Sequence, residues 1–87
     1  MINKLSEKEM DEVRMLVDCA LDSYSRDVAK PYLNKLIFMD RWLSNTVFSE
    51  MVAAVNAAVG NVKDKDKKVK IARELLTKVE FFCISSE

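Results

Sequence analysis

Val47-Phe48-Ser49-Glu50-Met51-Val52-Ala53-Ala54-Val55-Asn56-Ala57-Ala58-Val59-Gly60 carries a single charged side chain, Glu50, in its whole length. Val47, Phe48, Met51, Val52, Val55 and Val59 recur at helical spacing and define a buried stripe. Gly60-Asn61 supplies the left-handed stop that commonly closes a helix. The opposite face, Ser49, Glu50, Ala53, Asn56 and Ala57, has almost nothing that requires water, and its small residues permit a close approach by another helix. A surface of this kind is usually covered.

The residues before this helix extend the pattern. Ser44, Asn45 and Thr46 are all N-cap types and separate it from a second helix. That second helix, expected over about 29–44, is apolar around most of its circumference. Tyr32, Leu36, Met39 and Leu43 form one line, Leu33 and Ile37 flank it on one side, and Phe38 and Trp42 on the other. Only Asn34 and Arg41 point squarely away. Such a helix is either central to its bundle or serves an internal and an external contact at once. Pro31 is expected in its first turn, with Ser25, Arg26 and Asp27 as the preceding turn, because a proline in a helix interior costs about 3 kcal/mol. The alternative is one long helix kinked at Pro31.

At the N-terminal side, Ser6-Glu7-Lys8-Glu9 reads as a capping box, and Leu5 with Met10 as a hydrophobic staple. Met10, Val13, Leu16, Val17, Ala20, Leu21 and Tyr24 then form one stripe, giving a first helix over about 6–24. Downstream, Asp64 or Asp66 caps a fourth helix over about 65–84. Its stripe is Val69, Ala72, Leu75, Leu76, Val79, Phe82 and Cys83, and Phe81 falls outside it. One glycine and one proline in 87 residues disfavour a sheet with several tight turns. The expected fold is therefore all-α: a compact four-helix bundle of roughly antiparallel helices in a single domain, residues 1–87.

Composition narrows the function more by exclusion than by signal. Lys plus Arg and Asp plus Glu number 14 each, so no global field favours nucleic acid or an anionic membrane. The charges are nonetheless uneven, with residues 1–25 acidic and 61–87 basic, and the two ends could attract each other across the fold. No signal-peptide run or membrane-length stretch is present, so a cytoplasmic chain with reduced thiols is expected. Cys19 and Cys83 lack metal-ligand spacing, and with no histidine present neither a zinc site nor the usual general base is available. The acids at 7, 9, 11 and 12 are accounted for by the helix start. Asp18 and Asp22 share a face but have no further ligand in view. No phosphate loop or nucleophile motif appears, so neither an enzyme nor a cofactor is expected.

Two sets of residues remain as candidates. The first is a partner-binding surface of Phe38, Trp42, Ser49, Ala53, Asn56 and Ala57, where Phe38 and Trp42 read equally well as core or as an exposed aromatic pair. Phe81, Met15 and Cys19 are weaker members of the same class. The second is the basic run Lys63, Lys65, Lys67, Lys68, Lys70 and Arg73, which could contact phosphates in a salt-sensitive manner, although Asp64 and Asp66 interrupt it and no aromatic alternates with it. The expectation is a non-enzymatic protein-binding module or small regulator, self-associating as a homodimer through its second and third helices. A nucleic-acid-associated protein is the alternative.

Overall fold

Four helices account for the chain in a computed structural model that describes residues 4–43 and 45–83, the last two through their backbone alone. They are α1 (Glu7–Asp22), α2 (Arg26–Trp42), α3 (Thr46–Ala58) and α4 (Lys65–Cys83). The radius of gyration, 12.2 Å, matches the value of about 12 Å expected for a compact chain of this length.

Each helix start has an identifiable cause. At α1 the capping box is complete: the Ser6 N–H donates to Glu9 Oε1 at 2.9 Å and the Glu9 N–H to Ser6 Oγ at 3.1 Å. Leu5 and Met10, the staple pair, are both fully buried. At α2, Ser25 Oγ accepts from the Val28 N–H at 3.2 Å. At α3, Asn45 Oδ1 accepts from the N–H groups of Val47 and Phe48 at 2.9 and 3.2 Å. Asp64 precedes α4 in the left-handed region, φ 55°, and its carbonyl accepts the first helical bond from Lys68.

Two boundaries differ from expectation, and both differences trace to serines. Ser23 ends α1 early: its N–H turns back to the Ala20 carbonyl and its hydroxyl donates to the Cys19 carbonyl at 2.7 Å. Ser25 then caps α2 at once, so the connection shrinks and α2 begins at Arg26 instead of about 29. Tyr24, expected in the core stripe, is thrown outward and is 84% exposed. Pro31 consequently lies inside α2, past its first turn. Its missing N–H leaves the Asp27 carbonyl without a helical donor, but Asp27 and Pro31 are both exposed, so water can replace the bond. α2 stops at Trp42, with Leu43 already extended, short of the expected end at 44; the expected reach of α4 to residue 84 lies outside the described residues.

Side-chain bonds fix the order of the helices. Arg26 of α2 reaches Asn56 of α3, and Asp40 accepts from Ser49 at 2.5 Å, so the two helices run antiparallel. Arg14 and Asp18 of α1 pair with Glu80 and Arg73 of α4 at 3.1 and 2.8 Å, again antiparallel; Asp18–Arg73 has the polarity anticipated between the two ends, and Arg14–Glu80 the reverse. Half-exposed pairs of this kind contribute about 0–1 kcal/mol each. Short connections make α1–α2 and α3–α4 antiparallel hairpins. The start of α1 lies beside the end of α2, where Glu9 and Glu12 share a groove with Met39 and Trp42.

Neighbour relations are unequal. α1 and α3 each pack against all three other helices, whereas α2 and α4 do not meet. The most extensive packing is between α3 and α4, and each of these helices buries an alanine completely, Ala58 and Ala72. Met10, Val13, Leu16, Val17, Ala20 and Leu21 of α1 and Phe48, Met51, Val52 and Val55 of α3 form the middle of the core. α2 is therefore not central, despite its apolar circumference.

The C-terminus of α3 is held from outside. It has no basic residue in its last turn, yet Lys65 Nζ donates to the carbonyls of Ala58 and Gly60 at 2.8 and 2.9 Å, and Arg26 donates to the Asn56 carbonyl at 3.0 Å. Two cations borrowed from α2 and α4 thus satisfy orphan carbonyls at the negative end of the helix. Gly60 has φ 80°, and a Cβ there would meet the Arg26 backbone nitrogen at 3.3 Å. Glycine is required at this position by both its conformation and its neighbour.

Candidate interaction surface on the second helix

The register of α2 decides which of its apolar side chains reach the core. Ala29, Leu33, Leu36 and Met39 are buried, with Leu43 just beyond the helix. At about 100° per residue, Phe38 stands about 160° from Leu36 and Trp42 about 120°. The two aromatics therefore separate. Phe38 is 67% exposed, whereas Trp42 is half-buried and packs against the core cluster. On the other flank, Ile37 is also exposed.

Beside Phe38 lies an open groove of about 380 Å³, lined by Glu9 and Glu12 of α1 and by Asn34, Lys35, Phe38, Met39 and Trp42 of α2. The aromatic and methionine side chains make its floor and lip apolar, and the three charged residues mark its edges. A second hollow of about 290 Å³ lies between α2 and α3 and includes Leu33, Ile37, Arg26 and Asn56. Asn34 lines both and so sits on the ridge between them.

The α3 candidates are all exposed, but their surroundings differ. Ser49 and Asn56 are tied to α2 through Asp40 and Arg26. Ala53 and Ala57, beside those ties, remain exposed. Four of the groove-lining residues, Glu9, Glu12, Asn34 and Lys35, belong to no stripe that periodicity alone could single out as a site. Glu9 and Glu12 in particular carry an ordinary helix-start signature, and only the antiparallel pairing of α1 with α2 brings them opposite Phe38 and Trp42.

The basic run is divided in the same way. Lys65 closes α3 and Arg73 pairs with Asp18. Lys63, Lys67 and Lys70 are exposed and Lys68 is half-buried, and no ion pair engages these four among the described residues. The acid pair Asp18 and Asp22 is likewise separated in role, since Asp18 faces Arg73. Among the described residues no group of three or more histidine, cysteine or acidic side chains is placed to hold a metal ion. Cys19 is free and half-buried, and the Cys83 side chain lies outside the described residues. Met15 and Phe81 are exposed, the latter at 78%. Among the described residues no helix is long and apolar enough to cross a membrane. In comparisons with known proteins, no family model, no curated protein and no solved structure matches the chain.

Proposed function

We propose that the chain is a non-enzymatic, intracellular protein-binding module or small regulator that engages a protein partner through the outer surface of α2 and the adjoining open face of α3. The observation that carries this reading is the exposed Phe38 at the lip of an apolar groove, beside a tryptophan braced by the core. Large aromatics held on a rigid helix are efficient binding anchors, because little side-chain entropy is lost when they are covered. A partner helix laid along α2 would find an apolar floor with charged edges, the usual requirement of helix-in-groove recognition.

A photo-crosslinking amino acid at position 38 tests the reading. Irradiation in the native cytoplasm should give discrete adducts, and the same group at Lys78, an exposed position of α4, should give none. Absence of adducts from position 38, or identical adducts from both positions, contradicts it. The four lysines without ion pairs support a second reading, a nucleic-acid contact. With two of the six cations already engaged within the fold, such a contact neutralises about four phosphates at most and gives a salt slope no steeper than about −4.

A further inference from the structure

We infer that the occupant of the α1–α2 groove is a second copy of this chain, with α2 packed on α2 about a two-fold axis and each Phe38 seated beside the Trp42 of the other copy. This rests on the reading of α2 as the docking surface and names its partner.

Three observations point to self-complementarity. First, the groove and the side chain that would fill it lie next to each other: Phe38 projects at the lip, and Met39 and Trp42 line the interior. A two-fold axis through the middle of α2 places each projecting ring in the opposite groove, so one patch acts as both ligand and receptor. Second, the rim carries both signs on opposite walls. Glu9 is engaged by the Ser6 N–H, which leaves Glu12 as the available acid from the α1 side of the groove and Lys35 as the base from its α2 side. A rim of one sign selects a partner of the other, whereas a two-signed rim matches its own rotated copy, Glu12 to Lys35 and Lys35 to Glu12. Third, the chain has 14 basic and 14 acidic side chains, so no net charge drives two copies apart. Asn34, on the ridge between the two hollows, carries both donors and an acceptor and can pair with itself across the axis.

The test exploits the charge pairing. Sedimentation velocity of the wild-type chain across the micromolar range should show a dimer. E12K alone and K35E alone each place like charges opposite one another, and each should weaken the dimer at least about tenfold. An equimolar mixture of the two variants restores opposite charges at both contacts, and it should form a heterodimer within about threefold of wild-type affinity. Both positions are exposed, so circular dichroism should be unchanged; Phe38→Ala, equally exposed, provides an independent monomerising variant. A wild-type chain still monomeric at about 200 micromolar, within the range of weak interfaces, overturns the second-copy assignment. So does a wild-type dimer whose E12K and K35E variants fail to recombine. In either case adducts from position 38 with other proteins would keep the broader docking reading, and their absence would remove that as well.

Discussion

The second and third helices invert their sequence descriptions once folded. α3 has the fewer charges, yet none of its large apolar side chains is exposed; α2 has several charges, yet Val28, Ile37 and Phe38 are open to water. The difference follows from the number of neighbours. α3 packs against three helices and α2 against two. How apolar a helix is sets how much cover it needs, but its place in the bundle sets how much cover it receives.

Substitutions at matched positions separate the two helices. Phe48→Ala in α3 removes a fully buried ring and should cost about 3–5 kcal/mol, measured by urea denaturation; a loss below about 1 kcal/mol would mean that α3 is not the packed element. Lys65→Met removes the ammonium from two carbonyls at the end of α3 and should cost about 1–2 kcal/mol. Hydrogen exchange should then accelerate over the last turn of α3 more than over α1, whereas uniform acceleration would show that the lysine acts through global stability alone. Gly60→Ala combines a positive φ with crowding against Arg26 and should cost at least about 1 kcal/mol, with no loss expected if the turn relaxes. Phe38→Ala in α2 should change monomer stability by less than about 0.5 kcal/mol while abolishing association.

Much of the fold was legible because its determinants are local. The capping box at Ser6, the α1 stripe from Met10 to Leu21, the Asn45 cap and the Gly60 stop each depend on residues within a few positions of one another. Tyr24 and Pro31 were misplaced because two serines compete for the same short turn, and the outcome depends on which helix each one serves. The candidate surface was only half legible. Periodicity placed Phe38 and Trp42 together on one flank of α2, but whether a flank is covered depends on which helix stands beside it. The same holds for the basic run: nothing in the spacing of Lys65 and Arg73 distinguishes them from Lys67 and Lys70, and only the nearby carbonyls of α3 and the carboxylate of Asp18 commit them to contacts within the fold.

Phe38 lies outside the folding core and, as proposed, inside the contact surface. Urea denaturation of wild type and Phe38→Ala over a range of protein concentrations measures both halves at once, since binding of the native state raises apparent stability by mass action. Coincident curves are expected at the lowest concentration, with a midpoint that rises with concentration for wild type alone. A variant already destabilised by several kcal/mol at low concentration, at the scale of about 3–5 kcal/mol for a lost core ring, or wild-type curves that do not move with concentration, would contradict this placement of Phe38.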